Sequence, residues 1–183
     1  MKENAEVLAE GRFVRFIKKN GWEYIQRTNC TGIVVIVPVT DDGKVLLVRQ
    51  YRAPVNGDVL EFPAGLVNDE AACGLESEKQ AAERELLEET GYRAQEIVPV
   101  FSGPGGAGVS ADILTFFIAR GLVRENEGGG DETEKIAVHA VALAEVDQWL
   151  RERAQEGVMA DPKIYAGLYW LNSYNNKSAS RTE

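Results

Sequence analysis

Glu85, Glu88 and Glu89 stand at i, i+3 and i+4 in the run ERELLEETGY. On a helix those three carboxylates share one stripe about 100° wide. Two carboxylates ~4 Å apart repel by about 4 kcal/mol at an effective dielectric of 20, so the stripe calls for a cation. Arg84 can pair with Glu88 at i+4 but cannot neutralise all three. A hard divalent ion can, because such ions take oxygen ligands, and Mg²⁺ combines carboxylates with waters and the phosphate oxygens of a substrate. Ala82 and Leu86 form an apolar line beside the stripe, so the acids would border a buried face. The competing reading is a solvated acidic surface, and the surrounding residues decide between the two.

The elements that must position this stripe are legible in outline. A helix is predicted over Glu78 to Thr90, with Ser77 as N-cap, Gln80 completing a capping box and Gly91 ending it. Before it, VLEFPAGL reads as a short strand closed by a Pro-Ala-Gly turn. Residues 12 to 18 and 22 to 27 flank Asn20-Gly21, a type I′ hairpin signal. GIVVIVPVT and KVLLVRQYR flank Asp42-Gly43 and read as a second, more buried hairpin. After the helix come two strands (EIVPVFSG and ADILTFFIARGL), a glycine-rich loop at 128 to 130, the strand AVHAVAL and the helix AEVDQWLRERAQ. Asp161-Pro162 opens a last helix through Tyr174, and NNKSASRTE is expected to be a disordered tail. Strands in runs with three helices imply an α+β fold, or a sheet sandwiched by helices. No GxGxxG follows the first strand, which removes a dinucleotide-binding unit.

Composition narrows the function classes. The 183 residues are 44% hydrophobic and 27% charged, values of an ordinary globular chain. A net charge of −9 argues against an open nucleic-acid-binding face, which needs a basic stripe. Phosphates of a small substrate would have to be met by metal ions or local arginines. Cys30 and Cys73 fit neither a disulfide framework nor a zinc pattern. MKENAEVLAEGRF lacks an apolar signal core and no run is long enough to span a bilayer, so a cytoplasmic protein is expected.

The full spacing carries more than the stripe. Glu76, seven residues, Arg84-Glu85-Leu86, one residue, Glu88-Glu89, one residue, Gly91-Tyr92 resembles the Nudix box of nucleoside diphosphate hydrolases. One departure stands at the front: ten residues separate Gly65 from Glu76 where the family has five. Register is kept from Ser77 onward, so the five extra residues are expected to make a protrusion, Asp69 to Gly74, that bulges from a surface loop at little entropic cost. VRQYRAPVNGDVLEFPAG further resembles the ADP-ribose and nucleotide-sugar pyrophosphatase subgroup. That resemblance implies a Nudix-type α/β/α sandwich with a mixed sheet and a small N-terminal antiparallel β-hairpin subdomain. The expected division is residues 1–30 for that subdomain (dimerisation and base binding), 31–174 for the hydrolase domain and 175–183 for the tail. It also implies that the backbone carbonyl of Ala64, with Glu85 and Glu89, holds one Mg²⁺ and that Glu88 assists at a second. Two or three ions are expected, with Mn²⁺ able to substitute.

Residues outside the box complete the expected site. On the strand KVLLVRQYR, Arg49 and Tyr51 face one way and Arg52 the other. Arg52 is the candidate phosphate contact, since a guanidinium binds phosphate bidentately. Glu61 is expected to face the same cavity and to support Arg52 or metal-bound waters. By the resemblance, Trp22 stacks on the base, often across a dimer, Glu23 accepts from base amino groups and Arg27 reaches phosphate or ribose. Gly105, Gly106 and Gly108 permit close backbone approach to a substrate, although the loop diverges here from the ADP-ribose group. GGGDETEKIAVHAV resembles the family loop that carries the catalytic glutamate, which places that role on Glu132, with Glu134 as second choice. His139, the one histidine, is read as a packing residue.

These readings converge on Mg²⁺-dependent hydrolysis of the pyrophosphate bond of nucleoside diphosphate sugars, ADP-ribose included, by a homodimer that binds neither nucleic acid nor membrane. The alternatives are another Nudix substrate (a dinucleoside polyphosphate, an oxidised nucleotide or capped RNA) and a non-catalytic nucleotide-sugar sensor.

Overall fold

A computed structural model describes residues 5–68, 75–130 and 135–179. The expected bulge at Asp69–Gly74, Cys73, the candidate bases Glu132 and Glu134, and the last four residues lie outside the described residues.

Asn20 (φ 52°) and Gly21 (φ 83°) make the two-residue turn that their sequence predicts. They join β2 (Val14–Lys19) to β3 (Trp22–Arg27), with Lys19 opposite Trp22. A strand the sequence did not suggest, β1 (Glu6–Glu10), pairs with β2, so the N-terminal unit is a three-stranded antiparallel sheet. The outer edge of β3 is tied to the rest of the chain: Ile25 N donates to Val109 O and Ala111 N to Ile25 O, at 2.8 and 3.0 Å.

Two four-stranded mixed sheets follow. β4 (Gly32–Pro38) lies between β7 (Ala64–Val67) and β9 (Ile113–Arg124), and β9 also pairs with β8 (Tyr92–Pro104). The second sheet has β5 (Lys44–Arg52) between β10 (Ala137–Ala142) and β6 (Gly57–Glu61), with the short β11 (Met159–Ala160) parallel to β6. The expected hairpin of GIVVIVPVT with KVLLVRQYR therefore does not form. β4 and β5 belong to different sheets and share the isolated bridge Val39–Val45. Burial explains this. Val34 and Ile36 face one core cluster and Val35 and Val37 another, so β4 needs partners on both edges of a covered sheet. The Pro-Ala-Gly turn is also corrected. Phe62-Pro63 carries the chain from one sheet to the other, Pro63 O accepts from Ile36 N at 2.8 Å, and Ala64 already begins β7.

The carboxylate helix, α1 (Glu78–Thr90), forms as its caps dictate. Ser77 Oγ accepts from Gln80 N, the Gln80 side chain accepts from Ser77 N, and Gly91 is left-handed at φ 77°. Ala81, Ala82 and Leu86 pack on Val34, Ile36 and Phe117. Full burial of Leu86 stabilises by about 1.5–3 kcal/mol. On the other sheet face, α2 (Val146–Gln155) and α3 (Lys163–Ala179) supply Val146, Leu150, Ile164 and Leu171. Asn175 to Ala179, expected in a disordered tail, are helical. Arg120 of β9 holds that end, donating to Asn175 Oδ1 and lying over the Tyr174 ring at 5.5 Å.

The neck of the lengthened loop is closed by side chains. Glu76 N donates to Asn68 Oδ1 at 2.6 Å, Asn68 N to Glu76 Oε1 at 3.1 Å, and Asn68 Nδ2 to Thr31 Oγ1 at 2.8 Å. Both ends of the insertion are thereby fixed without its help. Deleting Asp69–Gly74 is expected to leave the thermal midpoint and the turnover largely unchanged; loss of either, by scanning calorimetry or a hydrolysis assay, would show that the insertion supports the site.

Candidate active site

Arg84 organises the acidic stripe beyond its expected i+4 pair. Its Nη1 donates to Glu85 Oε1 at 2.8 Å and to Glu88 Oε2 at 3.2 Å. Its Nη2 donates to Glu76 Oε1 at 2.9 Å and to Leu66 O of β7 at 3.0 Å. One guanidinium thus joins the helix, the strand beside it and the neck of the insertion. The hydrogen bond from Arg84 holds the Glu76 carboxyl below its usual range, against the effect of partial burial. Burial by itself would push the Arg84 guanidinium down, but the hydrogen bonds and charges of Glu76 and Glu85 outweigh it and the net shift is upward.

Glu85 and Glu89 are buried, while the Glu88 side chain is half exposed. Gly65 explains how Glu85 fits: a Cβ on residue 65 would fall 1.8 Å from Glu85 Oε1. Only a glycine lets the β7 backbone approach that carboxylate. The glycine-rich run, expected as a loop, is bonded to α1 over its described part. Gly129 N donates to Glu89 O and Gly130 N to Glu88 O, at 2.9 and 3.1 Å. A Cβ on Gly128 would lie 2.4 Å from the Thr90 carbonyl carbon. These N–H groups satisfy carbonyls that a helix end leaves open.

Glu85, Glu88, Glu89, Ala64 and Gly65 line one cavity of about 580 Å³, which Arg27, Arg52, Glu61, Pro54, Gly130 and Lys163 also line. Arg52 Nε donates to Glu61 Oε2 at 2.6 Å, the support that its sequence position suggested. Arg27 reaches the cavity from the N-terminal sheet and pairs with Asp112 at 3.5 Å. The expected ligand set and three of the expected substrate contacts therefore meet in one place.

Other candidates are elsewhere. Trp22 is exposed and lines a second cavity of about 360 Å³ with Lys19, Tyr24, Ala107, Gly108, Ser110 and Ala111. Glu23, on the opposite face of β3, lies 4.0 Å from Lys18. Gly105 packs against Leu114, donates to Asp112 O and lines neither cavity. His139 packs on the Trp149 ring at 5.3 Å, and burial, then the charges of Arg49 and Arg153, lowers its pKa. Sequence reasoning missed Lys163, Pro54 and the partner Asp112, whose approach to the box depends on how the sheets pack.

Among the described residues no three Asp, Glu, His or Cys side chains form a group that could hold a metal ion by themselves. The donors that line the cavity, the buried carboxylates of Glu85 and Glu89 with Glu88 and Ala64, suit an ion that completes its shell with water and substrate oxygens. No described helix is long and apolar enough to cross a membrane.

A carboxylate helix on a mixed sheet, opening into a cavity with cationic residues, is the arrangement of a Nudix domain. The chain belongs to the Nudix hydrolase family, whose NUDIX domain model matches residues 31–162. It is 34% identical to the ADP-ribose pyrophosphatase of Bacillus subtilis and 32% to the methanol dehydrogenase activator of Bacillus methanolicus. Each of those alignments spans 123 residues, 67% of this chain and 64% of the relative. It is 31% identical to the mouse (Mus musculus) ADP-sugar pyrophosphatase over 94% of this chain and 87% of that one. The crystal structure of an ADP compounds hydrolase superposes with a TM-score of 0.73 over 96% of this chain and 93% of that one, at 23% identity, and shares the fold.

The Arg84–Glu76 pair has a signature in pH. Because Glu76 is held below its unfolded pKa, its contribution is complete above about pH 5 and is lost as pH falls through the lower folded value. Glu76→Gln is expected to cost about 1–3 kcal/mol at pH 7 and progressively less below pH 4, read from urea denaturation of both proteins across that range.

Proposed function

We propose that this chain hydrolyses the pyrophosphate bond of nucleoside diphosphate sugars, ADP-ribose included, releasing a nucleoside monophosphate and a sugar phosphate. The observation that carries the reading is the shared cavity, in which Glu85, Glu88 and Glu89 line the same space as Arg27 and Arg52. Acids alone would repel a diphosphate and cations alone would bind it without activating water. The ADP-ribose and ADP-sugar pyrophosphatase relatives support the substrate class.

Nudix hydrolases generally use divalent metals, and Mg²⁺ or Mn²⁺ fits these donors. Glu85, Glu89 and the Ala64 carbonyl would hold one ion, with Glu88 assisting at a second. Bound there, two or three such ions would supply charge to the phosphates and lower the pKa of water. Arg52, held by Glu61, orients the diphosphate through its non-bridging oxygens, and Arg27 contacts it from the N-terminal sheet. Arg84 is committed to glutamates and to Leu66 O, so its role is to hold the stripe in place. Glu132, two residues beyond the cavity-lining Gly130, is proposed to take the proton from the attacking water, with Glu134 as second choice.

³¹P NMR of reactions with Mg²⁺ and ADP-ribose, ADP-glucose, GDP-mannose or UDP-glucose identifies the substrate and the bond cleaved. Glu85→Gln and Glu89→Gln should abolish turnover, and Glu132→Gln should lower kcat more than it changes KM. Full activity in both helix variants would sink the assignment.

The same reading includes a homodimer. Val7, Phe16 and Trp22 are exposed on the N-terminal sheet and Phe13 in the bend between β1 and β2, and Trp22 lines a cavity apart from the carboxylates. Trp22 serves a base at the catalytic cavity when a second copy delivers it. Sedimentation should give twice the chain mass, and Trp22→Ala should raise KM more than it lowers kcat; a monomer with unchanged KM would remove this part.

A further inference from the structure

We propose that Lys163 is a substrate-contacting residue, a third cation for the diphosphate, delivered by α3 rather than by a sheet. The proposal rests on the pyrophosphatase reading of the same cavity, whose lining Lys163 shares with Arg52, Glu61 and Glu88.

Its position is the first argument. Lys163 begins a 17-residue helix, where the unsatisfied N–H groups carry partial positive charge. A cation there is unfavourable by about 0.3–1 kcal/mol, and helices ordinarily place acids at that point. Where a residue breaks a local rule, function is the expected compensation.

Its support is the second. Asp161 Oδ1 accepts from Lys163 N at 2.7 Å, and Asp161 Oδ2 is paired with Lys163 Nζ. Asp161 N in turn donates to Leu60 O at 2.9 Å, continuing the parallel pairing of β11 with β6. Leu60 precedes Glu61, which holds Arg52 at 2.6 Å. Two cation–carboxylate pairs, Arg52–Glu61 and Lys163–Asp161, are thus set by neighbouring positions of one sheet. Each acid fixes its cation by one contact and leaves donors over, since an ammonium has three N–H groups and a guanidinium five. The Lys163 side chain stays 32% exposed, within reach of a ligand.

Charge is the third. Without bound ions, Glu85, Glu88 and Glu89 outnumber the one guanidinium among them, so the charge that receives a diphosphate before the metals are in place comes from the facing cations. A mobile ammonium on a four-carbon stem is suited to follow a phosphate oxygen as its charge grows.

Lys163→Met and Lys163→Arg test this in two assays. In hydrolysis at saturating Mg²⁺, Lys163→Met should lose about 10- to 100-fold in kcat/KM, Lys163→Arg should recover part of it, and the thermal midpoint of Lys163→Met should be unchanged or higher. In calorimetric titration with inorganic pyrophosphate and Mg²⁺, Lys163→Met should bind about tenfold or more weakly than wild type. Wild-type kcat/KM in Lys163→Met overturns the proposal. So does a parallel fall of stability and activity that arginine does not rescue, because that pattern marks a structural pin. Should the wild type hydrolyse no nucleotide sugar, the cavity reading fails separately, and the pyrophosphate titration still decides: equal binding by wild type and Lys163→Met, or no binding by wild type, overturns the role of Lys163.

Discussion

Arg84 makes the acidic site compatible with a stable fold. Glu76, Glu85 and Glu88 each come within 3.2 Å of its guanidinium nitrogens, and Leu66 O takes a further hydrogen bond. Carboxylates so close together would otherwise repel by several kcal/mol, or protonate and lose their affinity for a hard cation. The same contacts fix α1 against β7 and close the neck of the lengthened loop, so the position of the carboxylates and the continuity of the fold depend on one side chain. An arginine suits this task because its planar fork offers five donors in fixed directions, where a lysine offers a single charge.

The active-site charges run against the helices that carry them. Glu88 and Glu89 occupy the last turn of α1, where the helix end is already negative, and Lys163 opens α3, where it is positive. Each conflict is met locally. The N–H groups of Gly129 and Gly130 bond the carbonyls of Glu89 and Glu88, and Asp161 pairs with the Lys163 ammonium. Residues chosen for stability alone would have the opposite signs, and these two reversals fall on the same cavity.

Sheet topology brings the opposing walls together. The chain leaves β6 at Glu61, crosses at Phe62-Pro63 and enters β7 at Ala64. Glu61, which holds Arg52, and Ala64, beside the carboxylates, are therefore three residues apart in sequence yet on different sheets. The step that resembles a simple turn in the sequence is the junction around which the cavity is built.

Much of the site was legible because its logic is local. Helix periodicity put Glu85, Glu88 and Glu89 on one stripe, caps set the ends of α1, strand alternation separated Arg52 from Arg49, and the Asn20-Gly21 turn followed from its φ requirements. What the sequence could not show depends on partners distant along the chain. β4 reads as half of a hairpin because its turn signal is local, whereas its true neighbours β7 and β9 are selected by burial on both faces. The polar residues after Tyr174 read as a tail because the contact that keeps them helical comes from Arg120, 55 positions away from Asn175. Gly65 read as part of a turn until the carboxylate packed against it appeared. By itself the sequence determined the chemistry of the carboxylate helix, since that chemistry depends on residue type and a 3.6-residue period. Tertiary structure decided which cations face it, because Arg27, Arg52 and Lys163 come from three separate elements that only packing brings to one cavity.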